Sequence, residues 1–198
     1  MSKQLILEGV VTTLDGLGRL NIAPMGPRVD SSVRQLMLRP FQTSTTYRNL
    51  KGYGEGVLHV TDDVWLLARA ALGEVDPLPE TFPAERVRGN VLADACRWYE
   101  FRVSELDDHQ ERTMITWEVV HAGHLRDFFG FNRAKHAVVE AAILATRTDF
   151  LPLNDILADF QRLAVLVEKT GGEMEHRAFQ FLRDHVYKVA AQASGGES

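Results

Sequence analysis

Near residue 130 the spacing of apolar residues changes period, and this switch constrains the fold more than any other feature of the chain. From Asn132 onward Ala134, Ala137, Val138, Ala141, Ala142 and Ala145 recur three and four residues apart, which places them on one helix face. So many alanines predict close helix packing. Pro152 separates this helix from a second, whose stripe is Ile156, Leu157, Phe160, Leu163, Ala164 and Val167 and whose stop is Gly171-Gly172. A third helix is predicted from about Glu173 to Ala191, with Met174, Ala178, Leu182, Val186 and Val189 inward, and then a flexible tail over 193–198.

Before the switch the apolar runs are short and β-prone. Glu8 to Gly26 reads as two β-branched strands joined at an Asp15-Gly16 turn, followed by a long return strand. Gly56 to Thr61 reads as a further strand, after which Asp62-Asp63 caps a helix over about 64–72. The three prolines between Gly73 and Pro83 predict an extended surface loop. Val91 to Val103 and Glu111 to Val120 alternate partially, as antiparallel strands do, and supply Trp98, Tyr99, Phe101 and Trp117 as core groups. The chain is therefore expected to be α+β, with an antiparallel β-barrel over residues 1–130 and a helical subdomain over 131–192.

With 45% apolar and 25% charged residues, 198 residues can bury a sizeable core. The formal net charge of −5 argues against a protein whose main partner is nucleic acid. No segment approaches the roughly 18 apolar residues of a membrane span, and the first residues lack the apolar stretch of a signal peptide. The single cysteine, Cys96, is expected to be a buried, inert thiol, consistent with a cytoplasmic protein.

The chemistry concentrates between Leu38 and Leu50, where Arg39, Arg48 and Asn49 accompany four consecutive hydroxyl residues, Thr43, Ser44, Thr45 and Thr46. Hydroxyl donors, free N–H groups at a helix start and an arginine fork together suit a phosphate. The same residues also suit an ordinary hydroxyl N-cap after a strand. His121 and His124 have no identifiable third ligand nearby, so no metal site is expected. Glu140 is expected to pair with Arg133, Lys135, His136 or Arg147. The zinc-protease helix, the Walker loop and the Gly-x-Ser-x-Gly elbow are all missing. No catalytic acid, base or nucleophile stands out.

The pieces Glu8-Gly-Val-Val-Thr-Thr13, Asn21-Ile-Ala-Pro-Met-Gly26, Thr45-Thr-Tyr-Arg-Asn-Leu50, Thr61-Asp-Asp63, Asn132-Arg-Ala134 and Val139 to Arg147, taken in order, carry a resemblance. They are similar to a DUF447-like family of archaeal and bacterial FMN-binding split β-barrel proteins, related to the flavin reductase and pyridoxamine phosphate oxidase group. The resemblance implies FMN as cofactor. It places Asn21, Ala23, Pro24, Met25 and Gly26 near the flavin ring, and Arg39 with Thr43, Ser44, Thr45 and Thr46 on the phosphate. Asn49 would order that loop, with Phe41 and Tyr47 lining the site. Asn132 and Arg133, at a helix start, either receive an anion or a flavin edge or simply cap the helix. Also implied are a homodimer with FMN at the subunit boundary, an oxidoreductase activity on an unidentified small molecule, and a loose link to pterin metabolism. The alternatives are a non-catalytic flavin- or pterin-binding module and a protein-interaction scaffold, since the helical appendage is absent from minimal split barrels.

Overall fold

The computed structural model describes residues 5–195, with side chains through residue 193. In chain order its elements are β1 (Leu5–Ile6), β2 (Gly9–Leu14), β3 (Leu20–Met25), β4 (Arg28–Val29), β5 (Gln35–Leu38), α1 (Thr45–Tyr53), β6 (Glu55–Val60), α2 (Val64–Ala71), β7 (Thr81–Pro83), β8 (Asn90–Leu92), β9 (Arg97–Asp107) and β10 (Met114–His124). Three helices follow: α3 (Arg133–Ala145), α4 (Leu153–Thr170) and α5 (Glu173–Gly195). The chain divides into two units. One runs through Thr61 and resumes over Pro77–Phe128; the other comprises Asp62–Asp76 and the chain from Phe129 onward.

The first unit is a curled, antiparallel, eight-stranded sheet in the order β1-β4-β5-β10-β9-β6-β2-β3, so the fold class is α+β as expected. In β2 Val10, Val11, Thr12 and Thr13 are all fully buried. This strand is covered on both faces, which is why its sequence does not alternate. On the α1 side lies a core of Leu36, Leu38, Tyr47, Leu50, Leu58 and Ile115 around Phe101 and Trp117. Those two rings stack 3.7 Å apart and nearly parallel. At the far end of the β9–β10 ribbon the indole of Trp98 lies across Gly123, 1.9 Å from where a Cβ would stand. Only glycine fits there.

The opposite side of the sheet carries a smaller cluster of Val57, Val87, Val91 and Trp98. The proline-containing segment is more ordered than a surface loop, because Thr81–Pro83 pairs with β8 in a separate two-stranded sheet. Two buried ionisable residues fasten it. The carboxyl oxygens of Glu100 accept the N–H groups of Glu85 (2.9 Å) and Arg86 (2.6 Å). His59 lies between Val10 O (3.1 Å) and Leu92 N (3.0 Å). With Nδ1–H donating and Nε2 accepting, it is held as one neutral tautomer.

Two further sequence expectations are revised in this unit. The long return strand is split into β4 and β5, because Asp30 accepts from the Ser32 hydroxyl and the Arg34 N–H and bends the chain, with Val33 at a φ of 52°. In the first hairpin Asp15 Oδ1 accepts from Leu17 N (2.8 Å) and Arg19 N (2.9 Å). The hairpin turns at Asp15-Gly16 as expected, and its left-handed residue is Gly18, at a φ of 79°. Cys96 is buried as expected, but in the bend before β9 rather than within a strand.

The second unit packs α2, α3, α4 and α5 around the alanine face of α3, whose six predicted stripe residues are all buried. Its fourth helix, α2, comes from within the span expected for the barrel. Met174 is 42% exposed despite its place in the predicted stripe of α5; Phe179 is buried there, against Phe160. Helix α5 continues to Gly195, so of the expected tail only residues 196–198 lie outside the described residues. Glu140 is exposed and has no ion pair among the described residues. Lys135 instead pairs with Glu175 at 2.8 Å, joining α3 to α5.

Candidate functional site

Helix α1 starts where the hydroxyl run allows it to. Ser44 is the N-cap, with extended backbone, and its Oγ accepts from Tyr47 N at 3.1 Å. The helix ends at Gly54, left-handed at a φ of 66°, whose N–H returns to Leu50 O. The capping alternative is therefore correct for Ser44, while Thr43 and Thr45 remain exposed and Thr46 is buried. The N–H groups of Thr45 and Thr46 have no acceptor within the helix. Arg48 folds back on the run, donating to Thr43 O (2.9 Å) and Thr45 Oγ1 (3.1 Å). Arg39, just past β5, is exposed and forms no ion pair among the described residues. The exposed rim at the start of α1 thus offers hydroxyls and two amides without an acceptor in the helix, donors of the kind an anion requires, and Arg39 is an exposed guanidinium on the segment leading into it.

Beneath the rim is a small polar network. Asn21 Nδ2 donates to Thr46 Oγ1 at 3.1 Å and to Thr13 Oγ1 at 3.2 Å. Asn49 Nδ2 donates to the same Thr13 oxygen at 3.0 Å. Thr13, Thr46 and Asn49 are buried, and none of the four side chains is titratable.

A second set of contacts fixes the segment leading into α1 against the β9–β10 hairpin. Gln42 Nε2 donates to Asp108 O (2.7 Å) and Gln110 O (2.9 Å), and Thr113 donates to Pro40 O through both N–H and Oγ1. Asp108 accepts from Tyr47 OH and Lys51 Nζ, each at 2.7 Å. The Lys51 hydrogen bond, with that of Tyr47 next, holds the Asp108 carboxyl below its usual range, and Asp108 in turn pushes Lys51 up. Tyr47 is thereby committed to the hairpin rather than to an open site. Phe41 is partly exposed, with the Arg112 guanidinium 4.5 Å from its ring centroid.

The residues Asn21 to Met25 lie in β3, which ends the sheet and among the described residues pairs only with β2. Its outer backbone edge is therefore unpaired, and Pro24 is tolerated there for that reason. Ala23, Pro24 and Met25 are half-buried and Gly26 is exposed. Asn132 and Arg133 belong to the helical unit. There Asn132 caps α3 by accepting from Lys135 N (3.0 Å) and donates to Thr170 O (3.0 Å), while Arg133 is exposed.

The structure thus brings Asn21, Thr46 and Asn49 together around Thr13, which sequence reasoning did not place at the site. Thr13 was legible only as a strand residue; its partners lie 8 and 36 positions away. His121 Nε2 lies 3.6 Å from Glu85, and His124 Nε2 lies 3.2 Å from Asp127. Among the described residues no three His, Cys, Asp or Glu side chains are grouped to hold a metal. No described helix is long and apolar enough to cross a membrane.

Two family descriptions match the sequence: "Protein of unknown function (DUF447) N-terminal domain" over residues 7–126 and "Protein of unknown function (DUF447)" over residues 132–184. The fold is similar to that of an FMN-bound protein from Methanosarcina mazei described with the same family. That likeness has a TM-score of 0.79 at 23% identity, over 92% of this chain and 96% of that one. It is also similar to 2-nitrobenzoate 2-nitroreductase from Pseudomonas fluorescens, with a TM-score of 0.52 at 16% identity, over 63% of this chain and 66% of that one. No curated protein matches the sequence.

Proposed function

Because the chain belongs to the DUF447 family, we propose that it is an FMN-binding flavoprotein, and that it works as an oxidoreductase on a small molecule in the cytoplasm. One observation carries this proposal. The hydrogen bond from Asn21 to Thr46, 3.1 Å long, joins the two segments that the family resemblance assigns to the flavin ring and the phosphate. The FMN-bound relative with the same fold supports the choice of ligand.

Arg39, the Thr43 and Thr45 hydroxyls and the free N–H groups of Thr45 and Thr46 hold the phosphate. Asn49 keeps α1 seated on β2, and the unpaired edge of β3 from Asn21 to Gly26 faces the ring system. When bound, FMN supplies the redox chemistry, which is why the chain needs no nucleophile or acid–base pair of its own. A homodimer with FMN at the subunit boundary follows from the same resemblance and is checked by light scattering.

The test is the visible spectrum of the purified native protein, mass analysis of whatever heat releases, and titration with NADH and NADPH. Retained or added FMN that these donors bleach supports an oxidoreductase. A protein that neither retains nor takes up FMN overturns the proposal. The uncharged network under α1 favours a second reading, a non-catalytic flavin or pterin module. It is distinguished by bound FMN that no donor reduces, and by displacement of that FMN with a tetrahydropterin.

A further inference from the structure

Thr13 is the point at which β2, β3 and α1 meet. Its side chain is fully buried, and its Oγ1 accepts from Asn21 Nδ2 at 3.2 Å and Asn49 Nδ2 at 3.0 Å. A hydroxyl oxygen has two acceptor positions, and both are taken. The second amide hydrogen of Asn21 goes to Thr46 Oγ1 at 3.1 Å, so that side chain has no remaining donor. One oxygen therefore fixes the orientation of two amides. Through them it sets the first turn of α1 relative to the edge strand.

We propose that Thr13 is a positioning residue for the flavin site: without touching the ligand, it holds the phosphate-binding turn of α1 in register with the ring-facing strand β3. The proposal rests on the FMN-binding reading. A ligand gripped at two ends gains affinity only when the two grips are spaced to match it, and misplacement of either loses part of that gain. Thr12 supplies the internal contrast. It is equally buried and adjacent, but its hydroxyl donates to Asn90 O at 2.6 Å, on the other face of β2. Removing it disturbs the β8 segment and not α1.

The test is equilibrium titration of native protein and variants with FMN and, separately, with riboflavin, which lacks the phosphate. Wild type and Thr13→Ser are expected to bind FMN alike and more tightly than riboflavin. Thr13→Val keeps the shape and removes the acceptor; it is expected to weaken FMN about tenfold and to bring the FMN and riboflavin affinities together. Asn21→Ala, at a half-buried position, removes the same link from its other end and is expected to lower the FMN to riboflavin ratio alike even if Thr13→Val does not fold, since a lost ring contact would weaken both ligands equally. Thr12→Val is expected to lower thermal stability and leave the FMN to riboflavin ratio unchanged. If wild type binds FMN no more tightly than riboflavin, or if the link-breaking variants that fold keep its preference, Thr13 has no positioning role while the FMN reading stands. Failure of wild type to bind FMN at all overturns both.

Discussion

The two sides of β2 use buried polarity in opposite ways. On the Thr12 side two of the polar groups are ionisable, fully enclosed and matched to backbone groups: Glu100 takes the N–H groups of Glu85 and Arg86, and His59 bridges Val10 O and Leu92 N. On the Thr13 side they are neutral hydroxyls and amides leading outward to the exposed first turn of α1, with Arg39 on the segment before it. Where every partner belongs to the chain, the network serves the fold. A rim that keeps donors in reserve can serve a ligand.

The sharpest way to break this contrast is at Glu100. Glu100→Ala removes the shared charged acceptor of the Glu85 and Arg86 N–H groups and leaves a cavity where a fully buried side chain stood, and is expected to cost roughly 3–5 kcal/mol in a denaturant titration. FMN affinity of the folded fraction is expected to stay unchanged. A large loss of affinity at unchanged stability would erase the division.

Next in size is pH. Burial, only partly offset by the hydrogen bond to Val10, lowers His59 from 6.5 to about 4. The unfolded chain therefore takes up a proton at a pH where the folded chain does not. Stability from this group is complete above about 6.5 and is lost as pH falls toward 4, by roughly 3 kcal/mol in total. Denaturation midpoints measured from pH 8 to pH 4.5 should fall through that window, and His59→Gln should flatten the fall.

Arg39→Ala sharpens the other side. Because Arg39 is exposed and forms no ion pair among the described residues, the unfolding midpoint should not move. FMN should bind about tenfold more weakly, and riboflavin as before. The smallest effect is expected from Lys51→Met, which removes an exposed contact to Asp108 while the Tyr47 hydroxyl still holds that carboxyl. Its unfolding midpoint should stay within a degree or two of wild type.

Much of this architecture could be read from local pattern. The alanine stripe from Ala134 to Ala145 has a single periodic face and is buried throughout. The Ser44 and Asn132 caps follow from side-chain chemistry within three residues of each helix start. What escaped depends on distant partners or on one side chain overriding a run. Asp30 breaks an otherwise continuous β pattern, and α2 joins the helical unit although it lies between barrel strands in sequence. Lys135 bypasses Glu140 on its own helix for Glu175 on another. At the candidate site the hydroxyl run was visible, whereas the pairing of Thr13 with both asparagines required the strand register and the seat of α1.

The most direct measurement is a crystal structure of the protein grown with FMN. The expected result is a phosphate within hydrogen-bond distance of the Thr45 or Thr46 N–H, with the Arg39 guanidinium on it and the ring system along the outer edge of β3. A flavin bound elsewhere, or a phosphate touching neither α1 nor Arg39, would contradict the assignment of this face of β2 to the cofactor.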